Sequence, residues 1–345
     1  MTYAFQRSVP LALLLAAPAL LGATPAPAES SPLPVTAPMP PGETSTPPVI
    51  VVPFIEPFDL DASRRMSVKV MVGGKGPFAF LVDTGAERTV IARELAERLG
   101  LAEGAKLRMA TIGGSSTVPS YRVAALQMAK LHLAAVEAPA FFGRHIGAAG
   151  LIGVDMLEER RVLIDFRKES MQILETRRRA QPIIRGDDAI VVTARNSAGR
   201  LILSDARLNG KRIDVIVDTG AQTSVGNMAL KRLVTSKRAN RYPFTATILD
   251  AVTGEAVAAT QTSIKRIVIN GMDVNDLPVS FADGRAFQAL GLHERPALLL
   301  GMDSLSLFDR VEIDFPNKRV VFDLPDRANR EAGQRFAANM LLRGS

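Results

Sequence analysis

The chain has no cysteine and no tryptophan, and only three histidines and three tyrosines among its 345 residues. Without cysteine there can be no disulfide, thiolate metal site, iron–sulfur cluster, cysteine nucleophile or lipoprotein anchor. The histidines, His132, His145 and His293, share no ligand spacing and are expected on loops or at the surface. Neither HExxH nor GxSxG occurs, so zinc and Ser-His chemistry lack their usual strings. No metal and no cofactor is therefore expected. Nucleic acid is not an expected partner either. The net charge of +7 is modest, its densest run (Arg177-Arg178-Arg179) falls between the two main segments, and aromatic residues are few. What remains for acid–base chemistry is the carboxylates.

The first 28 residues read as an export leader: Arg7, the apolar run Val9 to Leu21, then the small-x-small site Ala26-Pro27-Ala28. That run falls short of the roughly 20 residues a bilayer-spanning helix needs, so no stable membrane insertion is expected once the leader is cleaved. The remaining 317 residues suit about two domains of roughly 150 each, in a periplasmic or secreted protein. Residues 29–58 hold nine of the 22 prolines and read as an extended tether or a propeptide.

After the tether a unit occurs twice. Ser67 to Val72 alternates, Gly73-Gly-Lys-Gly76 turns, and Phe78 to Val82 runs into Asp83-Thr84-Gly85. Leu201 to Leu208, the Asn209-Gly210 turn and Ile213 to Val217 lead likewise into Asp218-Thr219-Gly220. A helical pattern follows in each copy (Ala92 to Leu99, ended by Gly100, and Met228 to Val234), then a glycine-bearing hairpin. The copies close on Leu151-Ile152-Gly153 with Ile164-Asp165-Phe166, and on Leu299-Leu300-Gly301 with Ile313-Asp314-Phe315. The two aspartates are 135 residues apart and the closing glycines 148, so the second copy carries an insertion, placed around 283–296. The expected organisation is a first domain over 59–175, a linker over 176–188, a second domain over 189–325 and a basic tail over 326–345.

An apolar strand that delivers Asp-Thr-Gly sets a carboxylate on a turn, where glycine lets backbone amides approach. One copy would be ordinary turn chemistry. With two, packing about a pseudo-two-fold axis brings Asp83 and Asp218 together, where one proton must be shared. Such a pair is base and acid at once and can activate water against a peptide carbonyl.

These strings resemble the active-site motif of the retropepsin-like aspartic proteases, and Leu-Ile-Gly and Leu-Leu-Gly resemble that family's second signature. The resemblance covers about Met66 to Leu324 and implies an all-β acid-protease fold: two similar β-barrel domains related by a pseudo-two-fold axis. It implies that Asp83 and Asp218 are the catalytic pair and that Thr84 and Thr219 bond the opposite loop. Gly85 and Gly220 would present amides, with Gly153 and Gly301 under the loops. The hairpins at Ile112, Gly113 and Gly114 and at Leu249 and Asp250 would be flaps over an extended polypeptide; the second lacks the paired glycines, so only the first is expected to move. Ala86 and Ala221 stand where pepsins carry hydroxyls, which predicts a weakly acidic to near-neutral optimum.

Helix capping is the expected role of Asp155 and Asp303, and an outward strand position that of Asp165 and Asp314. The function implied is an exported aspartic endopeptidase, acting as a monomer with paired domains and processing envelope proteins. The alternative is a catalytically silent binding or scaffold module of the same fold.

Overall fold

The computed structural model describes residues 65–128, 131–133, 135–185, 188–235 and 242–325, together with the strand backbone at 15–16, 56–57 and 59–60. The protein is mostly β, with a closed six-stranded barrel and a half-barrel.

Each copy is built on the same crossing. In the first, Met66–Val72 pairs antiparallel with Lys75–Val82 across the glycine turn. Gly150–Ile152 then enters parallel to the end of the second strand, Leu151 beside Leu81, and antiparallel to Val90–Ala92. In the second, Ala297–Leu300 runs parallel to Lys211–Val217 and antiparallel to Val225–Gly226. Gly150–Ile152 and Ala297–Leu300 are apolar and buried throughout because both of their faces are covered. Helix Arg93–Leu99, closed by left-handed Gly100, and helix Met228–Thr235 lie where the pattern predicts.

The copies are joined by a six-stranded antiparallel sheet. Its order is Glu56–Pro57, Ser170–Glu175, Arg160–Asp165, Arg310–Asp314, Arg319–Asp323, Ala189–Ser197. At its centre Leu163 faces Glu312, flanked by Val162 with Ile313 and Ile164 with Val311. Val162 corresponds to Val311 and Ile164 to Ile313 in the repeat, so the pseudo-two-fold axis passes through the Leu163–Glu312 pair.

Several boundaries and roles differ from the sequence reading. The segment expected to be tether contributes Glu56–Pro57 to this sheet, opposite Met171 and Ser170; otherwise residues 29–58 lie outside the described residues, as does the tail over 326–345. Leu15–Ala16, inside the expected leader, pairs with Met109 and Ala110. Asp314 is not an outward residue. It is fully buried, and its Oδ2 accepts from Arg161 Nη2 at 2.6 Å and Arg319 Nη2 at 2.7 Å. The cause lies in the interdomain segment, which packs over that face of the sheet instead of hanging free. Ile184 is buried against Leu163 and Val321, and Glu312 Oε2 accepts from the amides of Ile183 (2.7 Å) and Ile184 (2.9 Å). Asp165 remains half-buried and accepts from the amides of Arg167 and Lys168 in its turn.

Candidate active site

Asp83 and Asp218 sit at the ends of the two parallel crossings. Each backbone N–H is held by the opposing strand: Asp83 N donates to Ile152 O (2.9 Å) and Asp218 N to Leu300 O (3.0 Å). Asp83 Oδ1 accepts from the amides of Gly85 (2.9 Å) and Ala86 (2.8 Å). Asp218 Oδ1 accepts from Gly220 (3.0 Å) and Ala221 (3.1 Å). A Cβ on Gly85 would collide with the Asp218 carboxyl, and one on Gly220 with that of Asp83. Glycine is therefore required for the two loops to close on each other.

The threonines cross the axis. Thr84 N donates to Thr219 Oγ1 (3.1 Å) and Thr84 Oγ1 to Val217 O (2.8 Å). Thr219 N donates to Thr84 Oγ1 (3.2 Å) and Thr219 Oγ1 to Val82 O (2.7 Å). All four bonds are buried, so each hydroxyl serves a backbone group that water cannot reach.

Gly153 and Gly301 lie directly under the loops. A Cβ on Gly153 would meet the Arg88 carbonyl, and one on Gly301 the Thr223 carbonyl. Their amides donate to Thr89 Oγ1 (3.1 Å) and Ser224 Oγ (3.0 Å). Asp155 and Asp303 follow, but neither caps its helix. Asp155 accepts from the Thr89 amide and hydroxyl (2.9 and 2.7 Å), and Asp303 from those of Ser224 (3.1 and 2.7 Å). Each helix is a single turn set beneath the loop, so its aspartate reaches the loop's orphaned amide more readily than its own. Burial raises both carboxyls, that of Asp303 to about 6.

Both catalytic-candidate aspartates are wholly buried, and neither Oδ2 has a donor from any other group among the described residues. Two carboxyls buried together cannot both ionise without a large penalty, which favours a proton held between them. Burial first, then the charge of Asp218, raises Asp83 well above the usual carboxylate range. Burial raises Asp218 to about 6, opposed by the Gly220 and Ala221 amides and by Arg200. Such a pair titrates as one unit and holds a single proton over part of the pH range.

Leu107–Ala110 and Ser115–Val118 carry the Thr111–Gly114 tip. Ile112 at that tip is buried in a cluster whose other buried members all come from the second domain, including Ala286, Phe287, Leu290 and Leu292 of the insertion. Helix Arg285–Ala289 of that insertion makes the wall, and Gly284 is so close that a Cβ would strike Ile112. In the second hairpin Leu249 and Asp250 pair with Val257 and Ala256 and so belong to the ladder; the tip is formed by the next residues, among them buried Val252. Gly254 of that tip lies against the ring of His145, in the first domain. Each tip thus reaches the opposite domain. His145 is half-buried in helix Gly143–Ile146 and not on the outer surface expected for it.

Arg200 was not legible as a site residue. It is fully buried at the start of the second domain's Arg200–Leu208 strand, and its Nε donates to Gly85 O in the first domain (2.6 Å). A signal existed: Arg65 and Arg200 each precede their aspartate by 18 residues, and Arg65 is equally buried. No cluster of metal-ligating side chains occurs among the described residues, and no helix among them is long and apolar enough to cross a membrane.

A duplicated strand crossing, glycine-backed carboxylates and reciprocal threonine bonds define a two-domain acid-protease fold with one composite site. Residues 68–156 match the family model described as aspartyl protease, and residues 204–307 the one described as gag-polyprotein aspartyl protease. The chain belongs to the retropepsin-like aspartyl proteases, with two such domains in tandem. No curated protein matches it.

Proposed function

We propose that the chain is an exported aspartic endopeptidase in which Asp83 and Asp218 act as one catalytic pair. The observation that carries this reading is the pair of fully buried carboxyls, each held by two loop amides and locked by reciprocal threonine bonds across the axis. Anionic Asp218 takes a proton from a water whose oxygen attacks the peptide carbonyl carbon, while Asp83 gives its proton to the carbonyl oxygen. The tetrahedral diol then collapses. Its hydroxyl returns a proton to Asp83, Asp218 protonates the departing nitrogen, and the C–N bond breaks. The products are an acid and an amine, and the pair regains its single shared proton.

An extended polypeptide lying under the two hairpins suits this geometry, since it can bond to strand edges while its side chains fill alternate pockets. The leader, Arg7 through Ala28, supports export and hence an envelope protein as substrate. The domains pair within one chain, which the packed segment between Thr176 and Ile184 favours by keeping the local concentration of the second half high. The test compares wild type with Asp83→Asn and Asp218→Asn on a peptide library, with and without a statine-type inhibitor. Both variants should lose cleavage. Activity retained in either sinks the shared pair, and an inactive wild type favours the scaffold reading.

A further inference from the structure

Arg200 is rooted in the second domain and contacts the first domain's catalytic loop. Its Nε–H donates to Gly85 O, its Nη1 to Ala198 O (3.1 Å), and Nη1 lies 3.8 Å from Glu87 Oε2. The Gly85 carbonyl shares a peptide group with the Ala86 N–H, which donates to Asp83 Oδ1 at 2.8 Å. One planar peptide therefore links the guanidinium to the carboxylate, and a cation on its oxygen strengthens the donor on its nitrogen. The charges also match. A buried guanidinium faces two buried carboxyls, and its positive charge favours the ionised form of both. Glu87, its other acidic neighbour, is partly exposed, and of the three carboxyls it bears most strongly on the guanidinium. The matching position in the second copy is Gln222, so the acidic neighbour belongs to the Asp83 loop alone.

We propose that Arg200 is a positioning residue of the catalytic pair. It holds the Gly85–Ala86 peptide in the orientation that presents the Ala86 N–H to Asp83, and it is the counter-charge to the one negative charge the pair carries. The proposal rests on the reading of Asp83 and Asp218 as that pair.

The experiment uses three variants of the full chain. Arg200→Met removes bond and charge, Arg200→Gln keeps a donor for Gly85 without the charge, and Arg200→Lys keeps the charge on a different donor. Carboxyl titrations are read by carbon NMR of labelled aspartate, independently of activity, and the pH profile of kcat/KM is read beside them. In Arg200→Met and Arg200→Gln the pair's first ionisation should rise by about one pH unit, and the acid limb of kcat/KM should follow. In Arg200→Lys both should return to within a few tenths of a unit of wild type, with kcat still reduced about tenfold by the misplaced loop. Should Arg200→Met fail to fold, Arg200→Gln carries the same prediction. If the neutral variants lower kcat equally at every pH and leave the titrations unmoved, Arg200 is a packing residue and the proposal is overturned. If wild type cleaves nothing while the titrations still respond, the positioning role stands and the protease reading fails instead.

Discussion

The composite site stores free energy that one atom can release. Asp218→Asn replaces a carboxylate oxygen by an NH2 of nearly the same size. The new side chain can still accept from Gly220 and Ala221 through its oxygen, and it can donate to Asp83 through its nitrogen. What is removed is the cost of ionising Asp218 away from water. Its carboxyl titrates at about 6 in the folded protein against an ordinary 3.8, so the folded state holds a proton that the unfolded state has already released. Stability from this group is complete below the unfolded value and is lost as pH climbs towards 6. About two units at about 1.4 kcal/mol each give a loss of about 3 kcal/mol at pH 7. Asp83 adds to it with the same sign, because its elevation owes its second-largest part to Asp218.

The variant should therefore be inactive and about 3 kcal/mol more stable than wild type at pH 7, with the gap closing towards pH 4. Urea unfolding followed by far-ultraviolet circular dichroism at several pH values measures it, since the chain has no tryptophan to report by fluorescence. A variant no more stable than wild type at pH 7, or a gap that does not shrink on acidification, would refute the reasoning.

Two further outcomes follow from buried bonds elsewhere. Thr84→Val should cost about 2–5 kcal/mol in the same assay, because it leaves the Val217 carbonyl and the Thr219 amide without partners, and Thr84→Ser should recover most of it; a Val variant within 0.5 kcal/mol (roughly the scatter of a surface change) would show that the crossing bonds do not hold the halves together. Glu312→Leu, which installs the residue of the matching position, should cost about 3–5 kcal/mol, since it orphans two amides and leaves Arg161 short of an acidic partner; the milder Glu312→Gln should keep both amides bonded, and equal stability of the two variants would argue against the clasp.

The parts of the site that were legible in the sequence are those set by contiguous residues. Asp83-Thr84-Gly85 and its repeat follow apolar strands, and a strand that ends in such a turn must present its carboxylate at the sheet's end. The closing glycines were legible for the same reason. Long-range partners were not. Asp155 and Asp303 stand at first-turn positions where local rules favour capping, and only the folded crossing shows that Thr89 and Ser224 come closer. Asp314 follows the alternation of an outward strand residue, and alternation cannot know that the linker will cover that face. In the second hairpin the register is fixed by the Ala251-to-Glu255 turn, where Ala251 N donates to Glu255 O at 2.8 Å, so the tip falls beyond Leu249 and Asp250.

Duplication within one chain changes what the axis can hold. In a dimer of identical chains, a residue on the two-fold axis faces its own copy, so a buried glutamate there would face a second buried glutamate. Two like charges at that spacing cannot both be kept ionised without a large penalty. Here the axial pair is Leu163 with Glu312. The leucine side chain packs against Ile184, and the glutamate fastens the same linker segment through its Ile183 and Ile184 amides. Glu87 beside Arg200, with Gln222 at the matching place, is a second departure of this kind, and the insertion that seats Ile112 is a third. The groups that must be equal for a proton to be shared, the two aspartates with their glycines and threonines, are equal in both copies. The groups around them have diverged in charge and size, as only a chain whose two halves are encoded separately allows.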